Sequence, residues 1–587
     1  MRGALLAALA ASARAQLFME IDSSFEDSLV DARFPEGWSG LAAVPLVGED
    51  DLPDIFACAV KSNANPPPTP PSGTPTLFSV PVLLKTTVNG NVTSFEDVTT
   101  QSGLENILCS SVVAADFDND GDVDLFTALY APDEAKECNF AANNGDGSFE
   151  VSQLPAEQCP SFAAGIAAAD VDNDSYLDIF VTQFGAFPVA NTGEAFTETM
   201  NVLLLGDGSG SFARAAGEGS DLLEAARFPC GASFSDLDSD GDQDLLVLGC
   251  NEILPGGVQP SPLYAFRNLL SNGSVTWEDA TTELIIPDGP EQRFQEAHSN
   301  SSSPGAALGL WMGICFGDLN ADGLLDVYVG NFGDTGLDRS ITNHMPLIQQ
   351  DGQYIDAYAD LLEDAEILQS DDPNQVPFNW ASVMMDSDNS GGPDELMTVG
   401  AVPMPGSTPN PGRIYAMGES SKLELLSSDS FGIGMGMSMA AADFNGDGRV
   451  DVAFIDRNQT LESPLRVFEN TASNANGFLK VKLVDGSGDI NGQGIGAKVV
   501  LVGMKTGPVA RQVSAGTSNL STNDHTLSFG LGQFNTAEES LTIEVQWPGS
   551  DSRESYELIS DGANACADPV NTLVTIDYRE GLLSCST

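Results

Sequence analysis

Six stretches of the sequence carry oxygen-bearing side chains at alternating positions. They are Asp116-Phe-Asp-Asn-Asp-Gly-Asp-Val-Asp124, Asp170-Val-Asp-Asn-Asp-Ser-Tyr-Leu-Asp178, Asp236-Leu-Asp-Ser-Asp-Gly-Asp-Gln-Asp244, Asp318-Leu-Asn-Ala-Asp-Gly-Leu-Leu-Asp326, Asp386-Ser-Asp-Asn-Ser-Gly-Gly-Pro-Asp394 and Asp443-Phe-Asn-Gly-Asp-Gly-Arg-Val-Asp451. Positions 1, 3, 5 and 9 supply side-chain oxygens, position 7 can add a backbone carbonyl, and Gly at position 6 permits the turn that points them inward. Carboxylates this close repel unless a cation joins them. An oxygen-only site in a flexible loop suits Ca²⁺, whereas Mg²⁺ demands stricter octahedral geometry. An EF-hand would need an acid at position 12, where Thr127 and Phe454 stand.

The expected metal ligands are Asp116, Asp118, Asp120, Asp122 and Asp124; Asp170, Asp172, Asp174 and Asp178; and Asp236, Asp238, Asp240, Asp242 and Asp244. These three loops keep four carboxylates at the ligand positions and rank strongest. The next set is Asp318, Asn320, Asp322 and Asp326, and the last is Asp443, Asn445, Asp447 and Asp451; in both, an amide replaces one carboxylate. In the fifth set, Asp386, Asp388, Ser390 and Asp394, the Ser and the Gly391-Gly392-Pro393 run weaken the match. Together the loops lead to an expectation of about five to six Ca²⁺ ions.

Each loop follows a small apolar run such as Ser111-Val-Val-Ala-Ala115 and precedes another such as Leu125-Phe-Thr-Ala-Leu129, which reads as two strands joined by the loop. Loop starts lie roughly 54 to 82 residues apart, room for four strands and insertions, as in a propeller blade. A worn copy lies upstream: aligning Asp54-Ile55-Phe56 with Asp124-Leu125-Phe126 sets Leu46, Gly48 and Asp50 at ligand positions, where no metal is expected. The fold class is therefore all-β: a seven-bladed β-propeller over residues 17–470, then a small β-rich domain over 471–587, where Val481/Leu483 and Val499/Leu501 alternate. The last blade ends at Leu465-Arg-Val-Phe-Glu-Asn470 without the outer strand that Ser94 to Asp97 gives the first blade. The same Ser-Phe-Glu-Asp pattern at Ser24–Asp27 is expected to close the ring. The Pro-rich stretch from Asn65 to Pro75 reads as an exposed loop.

Arg2, the apolar run Gly3–Ala11 and Ala13-Arg14-Ala15 read as a signal peptide over 1–15, so the protein is expected to be secreted. Asn91, Asn272, Asn300, Asn458 and Asn519 stand in glycosylation triplets. Of the nine Cys, Cys230–Cys250 and Cys566–Cys585 are expected pairs; Cys58, Cys109, Cys138 and Cys159 make two more of open connectivity, and Cys315 is left over. The net charge of −62 excludes nucleic acid and anionic membrane surfaces as partners, and no apolar run is long enough to insert in a membrane. Hydrophobic residues at 42% exclude a disordered acidic chain.

The Asp loops resemble FG-GAP/VCBS repeats, the blades of integrin alpha-like propellers. Gly477-Phe-Leu-Lys-Val-Lys-Leu483, Asn491-Gly-Gln-Gly-Ile-Gly-Ala-Lys-Val499, Gly516-Thr-Ser-Asn-Leu-Ser521, His525-Thr-Leu-Ser-Phe-Gly-Leu-Gly532 and Val545-Gln-Trp-Pro548 resemble an ASPIC/UnbV domain. Together they make the chain similar to the cartilage acidic protein family. That resemblance implies an extracellular, calcium-dependent binding or adhesion role without established chemistry. The family's Trp-Pro-Ser-Gly turn is Trp547-Pro548-Gly549-Ser550 here, and no EGF-like module follows.

No G-x-S-x-G elbow, Walker A loop or H-E-x-x-H occurs, and His298, His344 and His525 are scattered. The Gly492-Gln-Gly494-Ile-Gly-Ala497 run mimics a dinucleotide fingerprint but lacks its βαβ setting. The leading expectation is a binding protein for an extracellular protein or glycan. The alternatives are a lyase or hydrolase using the propeller channel, and a matrix component. Six Ca²⁺ would return only about +12, leaving a charge near −50 that favours a cationic partner.

Overall fold

A computed structural model describes the chain from Phe18 to Ser586, apart from residues 21–38, 63–76, 185–200, 287–307, 332–343, 363–378, 400–411, 428–435, 457–464, 559–565 and scattered shorter gaps. The signal segment, the five glycosylation triplets' Asn residues, Ser24–Asp27, the Pro-rich stretch and His298 lie outside the described residues.

Seven antiparallel sheets follow one another, each with its first strand innermost. The inner strands are Ser39–Val44, Ser111–Ala115, Ala163–Ala169, Pro229–Ser235, Trp311–Gly317, Ala381–Met385 and Gly436–Ala442. Each packs against the inner strand of the next blade, and that of the seventh against that of the first, so the sheets form a closed ring. Crowding near the axis explains the small residues read in the sequence. A Cβ added to Gly165 would lie 2.6 Å from the Gly231 Cα, and one on Gly40 would lie 2.8 Å from the Ser111 Cα. Larger side chains point instead into the wedges between blades, as with Phe117, whose ring meets Phe140 and Phe212 edge-on at centroid distances of 6.1 and 6.0 Å.

Among the described residues the ring closes through the N-terminal segment, at Phe18–Glu20, while the expected Ser24–Asp27 lies outside them. Phe18–Glu20 pairs antiparallel with Leu465–Asn470, in the register Phe18 to Asn470, and becomes the outer strand of the seventh blade. A seventh sheet made from both ends of the propeller leaves no blade with an open edge at the closure. Disulfides tie Cys138 to Cys159, Cys230 to Cys250 and Cys566 to Cys585; the last two are the pairs anticipated. Cys315 is outside any bridge and its thiol lies 3.4 Å from the Ser382 hydroxyl.

From Gly477 the chain builds two further four-stranded sheets. One orders Leu527–Gly532, Gly477–Val484, Thr572–Asp577 and Gly581–Ser586; the other orders Val509–Gln512, Lys498–Val502, Thr542–Gln546 and Arg553–Glu557. Gly477–Val484 alternates buried and half-buried residues, as the period-2 pattern requires. Leu479, Val481, Val499, Leu501, Ile543, Val545 and Trp547 meet in the core between the sheets. No helix among the described residues is long and apolar enough to cross a membrane.

The C-terminal domain sits on the loop face of the ring and sends a segment into the mouth of the channel. Ser521 and Thr522 pair in parallel with Leu41 and Ala42, Ala515 bridges Ala168, and the Ser233 hydroxyl donates to the Gly516 carbonyl at 3.1 Å. Inner strands of the first, third and fourth blades thus find backbone or side-chain partners in one short stretch. Replacing Gly165 by Val, which drives a branched side chain into the Gly231 backbone, should lower stability by about 1–3 kcal/mol in denaturant unfolding; an unshifted midpoint would mean that the inner strands do not abut.

Candidate metal centres on the loop face

Each Asp loop leaves its inner strand just before position 1 and enters the second strand at position 9 or beside it. Two left-handed residues turn it. Position 4 has positive φ at Asn119, Asn173, Ser239, Ala321, Asn389 and Gly446, and so has position 6, including Ser175 at 79°. The turn that glycine permits at position 6 is thus also made by Ser175, and position 4 is a second constraint that the sequence did not advertise.

Position 1 braces the loop. Asp116 Oδ1 accepts the Asp120 N–H at 3.1 Å and Oδ2 the Gly121 N–H at 3.0 Å, and the same pair of bonds recurs at Asp170, Asp318, Asp386 and Asp443. Position 9 clasps the loop to the blade. Asp124 Oδ2 accepts the Phe117 N–H at 3.0 Å while Oδ1 accepts the Asn143 N–H of the third strand at 2.8 Å. Asp178, Asp244, Asp326 and Asp451 repeat this. Asp54 of the worn first loop does the same with Leu46, Val47 and Thr86. This carboxylate is kept where positions 1 and 3 have become Leu46 and Gly48, so it has a structural task of its own.

Four loops gather three acid groups whose oxygens lie within 4.8 Å of one another: Asp116, Asp118 and Asp124; Asp170, Asp172 and Asp178; Asp236, Asp238 and Asp244; and Asp386, Asp388 and Glu395. Two position-3 oxygens, Asp172 Oδ1 and Asp238 Oδ1, are buried in these triads without any hydrogen-bond donor. A buried anionic oxygen with no donor, facing other anions, is the arrangement that a divalent cation relieves. The residues present therefore fit a hard cation.

Other expected ligands are placed differently. Position 5 lies outside the triads, with Asp120 Oδ1 accepting the Asp122 N–H and Asp240 Oδ1 the Asp242 N–H, both at 3.0 Å; Asp174 Oδ1 accepts the Tyr176 N–H in the same way. The side chains at position 7 turn away. Asp242 accepts from the Leu270 N–H at 3.1 Å, and Asp122 reaches toward Gly145. Asn320 donates to Asp322 Oδ2 at 2.9 Å and Asn445 to Asp447 Oδ2 at 3.3 Å, so in these two loops the amides engage their own loop carboxylates. Ser390 Oγ takes the Gly392 N–H at 3.4 Å.

The sixth blade departs most. Asp394, expected as a ligand, accepts both Arg511 Nη1 at 3.0 Å and Nη2 at 2.6 Å, and its Oδ2 also takes the Asp318 N–H. Glu395 assumes the ninth-position task, accepting the Ser387 N–H at 2.7 Å. The Gly391-Gly392-Pro393 run lengthens the loop by one residue, and the longer Glu side chain recovers the reach. An acid adjoining Asp394 at the start of a strand was the available signal for it.

Cations were the residues that sequence reasoning missed altogether. Lys480 Nζ lies 2.6 Å from Asp443 Oδ2, and Lys498 Nζ lies 3.3 Å from Asp236 Oδ2, which Gln546 Nε2 also contacts at 2.9 Å. Lys482 reaches Asp51 of the first blade at 2.5 Å. With Arg511 they project from the C-terminal domain onto the acidic face. In the worn loop a cation comes from the blade itself: a Cβ built on Gly48 would meet Lys85 Nζ at 3.1 Å and Asp50 Oδ1 at 3.8 Å. The glycine run that mimicked a dinucleotide fingerprint is a docking loop, since the Gly492 N–H donates to Asn119 Oδ1 and Gln493 Oε1 accepts the Asp116 N–H, both at 2.9 Å. The altered turn docks too, its Gly549 N–H donating to the Gly241 carbonyl at 3.0 Å.

Burial is the main cause of the unusual acidity in the loops. It raises Asp116, Asp170 and Asp386 to about 7 and Asp124 to about 8, with neighbouring carboxylates adding to the effect. Burial likewise pushes His525 down to about 4, which keeps that ring neutral. Raised carboxyl values mean that the metal-free fold binds more protons than the unfolded chain between about pH 4 and pH 8, so stability falls as pH rises through that window. Melting in chelator should therefore be higher at pH 5 than at pH 8; the opposite slope would contradict the burial assigned to these groups. Replacing Arg511 by Met, which strands the Asp394 carboxylate at 0% side-chain exposure, should cost about 3–5 kcal/mol in denaturant unfolding.

Residues 488–563 match the family described as ASPIC and UnbV. Among curated relatives, cartilage acidic protein 1 of Homo sapiens is 31% identical over 145 residues, 25% of this chain and 20% of that protein. Its Xenopus tropicalis counterpart is 29% identical over 145 residues, with the same two shares, and that of Mus musculus is 31% identical over 115 residues, 20% of this chain and 17% of that protein. The chain thus spans about a fifth of the length of the relatives it matches. A solved structure of Bombyx mori GH32 beta-fructofuranosidase BmSUC1 aligns over 77% of this chain and 87% of its own at 11% identity, with a TM-score of 0.25, a likeness too slight to bear on fold or function. The chain carries an ASPIC/UnbV domain behind an Asp-loop propeller and is similar to the cartilage acidic protein family.

Proposed function

We propose that this protein is a secreted calcium-binding propeller that acts as an extracellular binding or adhesion protein. The observation that carries the metal reading is the pair of donorless buried oxygens, Asp172 Oδ1 and Asp238 Oδ1, each inside a triad of carboxylates. Calcium would complete those triads with the flexible oxygen coordination that it tolerates, the four triads filling first. Holding the clustered charge together, the ions keep each loop in one conformation, so the role of the metal is structural in the first instance. The disulfides suit an oxidising compartment.

At the channel mouth on the loop face, residues 515–517 and 520–522 lie across inner strands of the ring, with Thr522 Oγ1 accepting the Ala114 N–H at 3.3 Å. That favours recognition through exposed surface over catalysis reached from this side of the channel. The excess of acidic groups beyond the loops favours a cationic partner, a basic segment of an extracellular protein or a glycan bearing cationic groups.

The Asp172→Asn, Asp238→Asn double variant separates structural charge from metal charge. In chelator it should melt near the parent, because the loss of the uncompensated Asp172 charge is offset by the loss of the pair between Asp238 Oδ2 and Arg267 Nε, 2.6 Å apart. With calcium the parent should gain many degrees and the variant markedly fewer. Equal calcium responses in the two proteins would sink the metal reading. Capture of basic extracellular proteins on the immobilised parent should require calcium and weaken with salt; capture indifferent to both would count against the adhesion reading.

A further inference from the structure

Cys58 and Cys109 are both buried at 0% exposure in one hydrophobic cluster, with their thiols in hydrogen-bond contact. They come from different blades. Cys58 lies on the second strand of the first blade, opposite Gly40 of its inner strand. Cys109 precedes the inner strand Ser111–Ala115 of the second blade. What joins them is the missing side chain at Gly40, where an added Cβ would sit 2.8 Å from the Ser111 Cα. The two inner strands press backbone against backbone there, and Cys58 Sγ comes within 3.9 Å of the Ser111 carbonyl. Six of the other seven cysteines are committed to bridges, and Cys315 is engaged with Ser382 in the fifth blade.

We propose that Cys58 and Cys109 form a fourth disulfide, a covalent staple between the first and second blades. Its position has a physical logic. The first blade is the one whose loop carries Leu46 and Gly48 where the other loops carry Asp or Asn, and it stands next to the ring closure. A bridge across its far side restrains the blade by closing a long loop in the unfolded chain.

Burial holds the Cys58 thiol well above its ordinary range, so once the blades have packed it is a poor nucleophile. The bond therefore forms before the joint closes. The thiolate of one cysteine attacks the disulfide of an oxidised dithiol–disulfide oxidoreductase and displaces one of its sulfurs as thiolate. The second cysteine's thiolate then attacks the mixed disulfide and displaces the other. The chain loses two protons and two electrons, and the oxidant's disulfide becomes two thiols.

The full chain, produced through an oxidising secretory pathway, is denatured in N-ethylmaleimide without reductant, digested and mapped by mass. The expected product is a linked peptide containing Cys58 and Cys109, lighter than its two parts by two hydrogens. Recovery of both cysteines as alkylated peptides, or of either one joined to Cys315, overturns the proposal. Melting supplies the second arm. Cys58→Ala, Cys109→Ala and the double variant should lose the same number of degrees, since any of them removes one bond, whereas losses that add would mean two independent thiols.

Discussion

Everything on the loop face answers to one constraint, the burial of many carboxylates close together. Six loops bring acids to the same edge of a closed ring, and burial, with neighbouring carboxylates adding to it, pushes several of them toward neutrality. The molecule meets this load in three ways. Backbone N–H groups brace positions 1 and 9 in nearly every blade. Side-chain cations arrive from the C-terminal domain at Asp236, Asp394 and Asp443. At Asp172 Oδ1, and at Asp238 Oδ1 beside an Oδ2 that Arg267 of the same blade holds at 2.6 Å, an oxygen is left that suits a metal.

The position-1 carboxylates couple these devices. At Asp443, Oδ1 braces the loop while Oδ2 meets both the Gly448 N–H and Lys480. At Asp318, Oδ2 accepts the Ala510 N–H of the C-terminal domain as well as that of Gly323. One residue thus serves its own loop with both oxygens and the neighbouring domain with one of them. The C-terminal domain is accordingly a lid on the acidic face, and a chain with only 23 basic residues spends four of them there, Lys480, Lys482, Lys498 and Arg511. Such contacts are costlier to break than exposed pairs because at Asp236, Asp394 and Asp443 the acid left behind would be almost fully buried.

The repeat made the blades legible because every blade solves the same problem. Small residues must line the axis, a tight acidic loop must follow, and a second apolar strand must return. The ninth-position acid was legible as an oxygen, but its clasp to the third strand was not, because that partner lies some twenty residues away at Asn143, Asn268 or Asn470. Glu395 was passed over since spacing alone favoured Asp394. Only the approach of Arg511, from a different domain, frees Glu395 to act in its place. The pairing of Phe18–Glu20 with the last blade carries no part of the Ser-Phe-Glu-Asp pattern, so its register could not be read from that repeat.

By itself the sequence determined the local chemistry: which loops concentrate oxygen, which strands alternate, and that the ring has seven units. These follow from period and residue type within each unit. Only the tertiary structure decided which carboxylates meet, which are neutralised by Lys and Arg from elsewhere, and that the second domain reaches the inner strands at the channel mouth. Those outcomes join residues hundreds of positions apart, Asp116 with Gln493 and Asp236 with Lys498, and depend on how two rigid bodies stack. The charge of −62 is thus a local fact of composition, while its arrangement into metal-ready triads and lysine-capped acids is a property of the fold.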